Sequence, residues 1–170
     1  MKHFVLLVLV VLLAIATPCI ASQITSHTYQ LGLYNINVTA VDANYNDNIS
    51  ALYTGRDGVV AYAHKVEFEA ENLQYMLIVS ETFNESEPLS LLEHRDATMV
   101  VNGLASNIIV DQDEYFPFYY AEIPLSRTAI LEVFADDWGP QHTKKELVEM
   151  EGQFYSFLGS MRISLNLPEQ

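Results

Sequence analysis

A chain of 170 residues, half of them apolar, can bury one substantial core and is short for two, which points to a single domain. Its formal charge of −14, from eight Lys and Arg against 22 Asp and Glu, argues against nucleic acid or anionic lipid as a partner. A lone cysteine excludes a disulfide framework and any zinc site built on several thiolates.

Met1-Lys2-His3 is a short basic start, residues 4–16 are an unbroken apolar run, and Cys19-Ile20-Ala21 is a small-residue cleavage motif. That is the pattern of a secretory signal peptide over residues 1–21. Cleavage after Ala21 leaves a single domain over residues 22–166 and a loose tail at 167–170. It also removes the cysteine and Lys2, so seven basic residues face 22 acidic ones and the charge becomes −15. A lipid-modified Cys19 would want Gly or Ala at position 18 and Leu at position 16, where Pro18 and Ala16 stand. The alternative is a membrane anchor retained through residues 4–21, but a span needs about 20 apolar residues and Pro18 interrupts the run first. The expected location is secreted or in the cell envelope.

After a short polar lead come Tyr29-Gln30-Leu31-Gly32-Leu33 and a strand over 34–40, in which Ile36, Val38 and Ala40 alternate with Asn35, Asn37 and Thr39. Asp42, Asn44 and Asn46 have the spacing of the first three ligands of a calcium loop. Asp47 stands where the sharp turn needs Gly, however, and Tyr53 where a bidentate Glu belongs, so no metal is expected. A tight turn at 54–58 feeds a long strand with Val60, Tyr62, His64, Val66, Phe68 and Ala70 on its core face. Glu71-Asn72 turns the chain into an antiparallel partner over 73–79. His64 reads as a hydrogen-bonded core histidine.

Ser86 can cap a short helix with Pro88 in its first turn and Leu89, Leu91 and Leu92 docking it. His94-Arg95-Asp96 imitates a kinase catalytic loop, but Asn102 falls one residue late and no Gly-rich loop or Asp-Phe-Gly exists. Asn102-Gly103 turns into a strand through Ile108-Ile109-Val110, and an acidic connection at 111–114 leads to two strands, 115–123 and 128–135. The first places Phe116, Phe118, Tyr120 and Glu122 on one face and Tyr115, Tyr119, Ala121 and Ile123 on the other. The second is apolar at nearly every position and is therefore a central strand covered on both faces. Asp136-Asp137-Trp138-Gly139-Pro140 is a loop. Thr143 and Glu146 make a capping box for a helix whose stripe is Leu147, Met150, Phe154, Phe157 and Leu158, with Gly159 ending it in a left-handed turn. A last strand covers 160–165.

Strands, short helix, strands, long helix, strand: this order predicts an α+β fold, a mainly antiparallel sheet with helices packed on it. The layout resembles the PsbP and Mog1 superfamily of α/β/α sandwiches. The resemblance lies in the hairpin over 59–79, the short helix at 89–97, the Asn102-Gly103 turn, the hairpin over 115–135, and the helix running into Phe157-Leu158-Gly159-Ser160-Met161-Arg162-Ile163. It implies a partner-binding or assembly role outside the cytosol and carries over no catalytic residue.

The chain contains no Gly-x-Ser-x-Gly, no His-Glu-x-x-His and no phosphate loop. No catalytic residue, cofactor or metal site is therefore assigned. Asp136 and Asp137 beside Trp138 could contact a ligand or partner, with Trp138 expected to fold onto the sheet edge. Adjacent acids rarely straddle one glycosidic bond, which glycosidases require. Asn48, Asn84 and Asn37 each open an N-linked glycosylation pattern. The leading expectation is an exported, non-catalytic domain that binds a protein partner in the cell envelope or extracellular space. The alternatives are an extracellular enzyme acting on carbohydrate and a structural subunit of a surface layer.

Overall fold

A computed structural model describes residues 22–56, 59–82 and 95–166. Among them are ten strands and one helix: β1 (Ile24–Leu31), β2 (Tyr34–Val41), β3 (Ser50–Arg56), β4 (Val59–Ala70), β5 (Leu73–Thr82), β6 (Ala97–Val101), β7 (Leu104–Asp111), β8 (Phe118–Pro124), β9 (Ala129–Asp136), α1 (Lys144–Ser160) and β10 (Arg162–Leu165). One sheet runs β3-β4-β5-β9-β8-β7-β6 and the other β1-β2-β10, with every pairing antiparallel. The expected α/β/α sandwich is therefore not what forms. The fold is β-rich, and a three-stranded sheet beside α1 covers the larger sheet where a layer of helices was expected. The signal segment, Asn84, the Ser86 cap and the tail lie outside the described residues.

Two-sided burial explains the order of the larger sheet. β9 is apolar almost throughout, is buried from Ala129 to Val133, and takes the fourth of seven places. Its flanks are β5, whose burial largely alternates, and β8, which is buried on both faces from Tyr119 to Ile123. At the sheet's end, Asn102 and Gly103 both have positive φ, the backbone of a two-residue hairpin turn. That turn pairs β6 with β7 from Ala97↔Ile108 to Val101↔Leu104. The short helix expected over 89–97 falls mostly outside the described residues, and at its expected end Ala97 opens a strand whose residues alternate between the two faces.

Between the two sheets lies one core. Ile36, Val38, Tyr29 and Leu31 from the smaller sheet meet Val66, Phe68, Tyr75, Leu77, Leu131, Val133 and Tyr119 from the larger, and α1 adds Phe154, Phe157 and Leu158. Ring contacts link the layers: Tyr29 on Phe68 at 5.6 Å, Tyr75 on Phe157 at 4.3 Å and Tyr119 on Phe154 at 5.6 Å. Helix α1 begins with the expected capping box, Thr143 Oγ1 accepting from the Glu146 N–H while the Glu146 carboxylate accepts from the Thr143 N–H at 2.7 Å. Its five buried residues are the expected stripe. Its end differs from expectation. Gly159 stays helical, and the chain leaves through Met161 in an extended conformation. The freed carbonyls are satisfied from the side, since Arg162 Nη1 donates to the Met161, Gly159 and Ser160 oxygens and Ser160 Oγ to Phe157 O, so no left-handed residue is needed.

Gly32 shapes the β1–β2 turn with φ of +61°, and a Cβ there would stand 3.1 Å from His64 Cδ2 and 3.2 Å from Glu81 Oε1. His64 itself is half-buried and edge-on to Tyr62 at 4.7 Å. Gly32→Ala is expected to cost about 1–2 kcal/mol from the left-handed backbone and somewhat more from this crowding. Urea unfolding would read it, and an unchanged midpoint would mean that the turn rearranges freely.

Candidate functional site

The polar loop after β9 and the acidic connection between β7 and β8 meet at one end of the larger sheet. They hold each other in place: the His142 N–H donates to Glu114 O at 2.7 Å, Gln141 Nε2 donates to Glu114 Oε2 at 2.7 Å, and Gln112 Nε2 donates to the Glu151 carboxylate on α1. Asp113 Oδ1 accepts from the Tyr115 and Phe116 N–H groups at 2.8 and 3.0 Å, a side chain holding its own backbone in a turn. This turn is why the expected strand over 115–123 starts only at Phe118.

The two loops carry Tyr115, Phe116 and Trp138 into solvent. Trp138 is 75 % exposed and Phe116 56 %, and their rings touch at 5.2 Å with planes tilted by 57°. Trp138 was expected to fold onto the sheet edge. It stands clear of it because Phe116, the ring it packs on, is itself outside the core. Below this tip, Phe118, Phe134 and Tyr120 continue an aromatic band along the outer face of β8 and β9.

Asp136 and Asp137 reach different partners, Asp136 as the last residue of β9 and Asp137 as the first of the loop after it. Asp136 stands opposite Gln74 and Phe118 in the sheet register. Burial raises its carboxyl above the ordinary value, a hydrogen bond from Trp138 works against that, and the nearby charges of Asp137 and Glu67 add to the rise. Asp137 turns the other way, its Oδ2 lying 3.5 Å from Nε2 of His142, a residue only 8 % exposed. Gly139 permits this approach: a Cβ on it would stand 3.2 Å from the Asp137 carboxylate and 3.4 Å from His142 Cε1. Asp137 and His142 line a cleft of about 370 Å³ with Asn72, Pro140, Glu146, Glu149, Met150 and Gln153.

No family model, curated protein or solved structure matches this chain.

A second acidic pair was not anticipated as a pair. Register places Glu122 of β8 opposite Glu132 of β9, and the Tyr120 hydroxyl lies 2.9 Å from Glu132 Oε1 and 3.3 Å from Glu122 Oε1. The phenol has one proton for these two acceptors. Both acids are buried, Glu122 at 1 % exposure and Glu132 at 8 %, on the same face of β8 and β9 as Tyr120, where a polymer could not reach them. Burial and the two carboxylates push the Tyr120 hydroxyl above the ordinary tyrosine value.

The remaining candidates lie apart from this end. Asn48 is exposed in the loop before β3, as glycosylation would need. Asn37 sits on the middle strand of the smaller sheet, its amide donating to Thr28 Oγ1 at 2.9 Å. In the Asn- and Asp-rich loop, Asp47 pairs with His27 at 2.8 Å. Among the described residues no cluster of three or more His, Cys, Asp and Glu could hold a metal, and no helix is long and apolar enough to cross a membrane.

Proposed function

We propose that this chain is an exported, non-catalytic domain that binds a protein partner through the end carrying Tyr115, Phe116 and Trp138. The observation that carries the reading is Trp138, 75 % exposed on a loop tied to its neighbour by the His142 N–H and the Gln141 side chain, both donating to Glu114. A rigid exposed aromatic gives up little conformational entropy on docking and buries a large apolar area, which is why Trp and Tyr dominate binding hot spots. The 57° between the two rings makes a knob that fits a pocket in a protein better than a flat platform for sugar rings. Asp113, Glu114 and Asp136 surround the knob, so the partner's rim should be basic. The carbohydrate-enzyme alternative is the weaker reading, because Asp136 and Asp137 face different ways and Glu122 and Glu132 are buried. Export rests on residues 1–21 and not on the folded part.

Affinity capture from the native envelope tests this with the wild-type chain beside a Trp138→Ala/Phe116→Ala double variant. One protein retained by the wild type and reduced at least tenfold by the variant is expected. Equal recovery of every retained protein would remove this end as the docking surface.

A further inference from the structure

Trp138, the chain's single tryptophan, touches one other ring, Phe116, and leaves most of its indole open to solvent. The indole N–H donates to the Asp136 carboxylate, which sets an acid at the edge of the exposed ring. We propose that the docking end receives an arginine side chain of the protein partner, its guanidinium lying flat on the Trp138 indole and pairing with the Asp136 carboxylate. This rests on the docking reading above and names the group that end takes.

Charge selects a cation. Register sets Glu69, Gln74, Asp136, Phe118 and Asp111 in one row across β4, β5, β9, β8 and β7, with three acids and no base among them. Glu69 has a neutral partner in Gln74, whose Nε2 donates to its Oε1 at 2.7 Å, and Lys65 on the same strand is held by Glu67 at 2.6 Å. Among the described residues no Lys or Arg pairs with Asp111, Asp113, Glu114 or Asp136. Asp136 is half-buried, and burial together with the charges of Asp137 and Glu67 raises its carboxyl. A carboxylate partly withdrawn from water among other acids gains more from an arriving cation than one on an open surface does.

Shape then selects arginine. A guanidinium is planar and weakly hydrated, so it stacks on an aromatic face while its edge donates to a carboxylate, whereas an ammonium is a compact, strongly hydrated point charge. Here the open face and the carboxylate belong to residues linked by the indole N–H, within reach of one guanidinium. Phe116, tilted by 57° against the indole, adds an apolar wall for the methylene stem. An acidic side chain of the partner would meet Asp113, Glu114 and Asp136 and be repelled. An apolar one would withdraw Asp136 further from water without a counter-charge.

Because Trp138 is the single tryptophan, its emission reports on this site alone. The purified protein is titrated at matched ionic strength with N-acetyl-arginine methylamide, N-acetyl-lysine methylamide and N-acetyl-citrulline methylamide. A saturable change is expected with the arginine probe, about threefold or more tighter than with lysine and about tenfold tighter than with citrulline. Asp136→Asn, whose amide oxygen still accepts from the indole, should weaken the arginine probe by about threefold or more. Equal affinities for arginine and lysine, equal affinities for arginine and citrulline, no saturable change, or an Asp136→Asn protein that binds as the wild type does would each overturn the assignment. If Asp136→Asn fails to fold by circular dichroism, the ratio of arginine to citrulline affinity in the wild type decides. Affinity capture separates this inference from the reading beneath it. A partner that needs Trp138 but is retained equally by Asp136→Asn leaves the docking end standing and removes the arginine, and a partner lost with either change supports both.

Discussion

Raising the pH from 10 to 13 is expected to unfold this protein cooperatively. Tyr29, Tyr75, Tyr119 and Tyr120 are buried, and burial is the main cause that pushes all four hydroxyls above the ordinary tyrosine value, Tyr119 to about 12. Below pH 10 the hydroxyls are protonated in both states and their burial carries no pH-dependent cost. Above it the unfolded chain loses these protons while the folded chain keeps them. The native state then binds more protons than the unfolded one, and stability falls as pH rises. Each such group removes about 1.4 kcal/mol per pH unit, so four together remove roughly 5–6 kcal/mol per unit until the folded values are passed. Against a total stability of about 5–15 kcal/mol, that drop unfolds the domain within about one to three units above pH 10. Tyrosinate absorbance and far-ultraviolet circular dichroism followed together should show the four buried hydroxyls ionising only as the strand signal is lost. Complete ionisation of all four with the strand signal intact to pH 13 would show that the hydroxyls are solvated and the core arranged otherwise.

Which parts of the fold can be read from the chain depends on whether a residue's neighbours are near in sequence. The stripe on α1 and the Thr143–Glu146 cap are local, and both form as their spacing requires. The unbroken apolar run of β9 likewise places it at the centre of its sheet. β1 was legible only at its end. Ile24-Thr25-Ser26-His27-Thr28 looks like a polar lead, because an edge strand with one wet face needs few apolar residues, and only pairing with β2 from Ile24↔Val41 to Leu31↔Tyr34 makes it a strand. β3 hides behind Gly55 and an Asn-rich approach in the same way. Alternation in β2 and β10 announces strands without saying which sheet they join, and assigning them to a single sheet is what left room for a layer of helices. The site follows the same rule. Asp136, Asp137 and Trp138 stand out in sequence as a loop, but their divergence depends on where β9 ends. Glu122 and Glu132 become a pair only through register.

Two truncations of aromatic residues to alanine, Phe154→Ala and Trp138→Ala, should differ sharply, and the difference separates what holds the fold from what the proposed docking end would offer a partner. Phe154 is fully buried on α1, stacked at 5.6 Å on Tyr119 and beside Tyr155 at 6.3 Å. Its removal forfeits the transfer energy of the ring and leaves a cavity that the two sheets cannot close, because β-sheet backbones on both sides are fixed by their ladders. The expected cost is about 3–5 kcal/mol, enough to leave the domain partly unfolded at physiological temperature. Trp138 is larger, yet it touches one exposed ring and makes its polar bond to a neighbouring side chain, Asp136. Truncation there should stay within about 0.5 kcal/mol in urea unfolding with an unchanged slope. A Trp138→Ala cost approaching that of Phe154→Ala would mean that the ring is part of the folded body, and the docking end would lose the residue that carries it. If the contrast holds, the indole contributes almost nothing to stability while exposing apolar surface, which is what the proposed docking end requires of it.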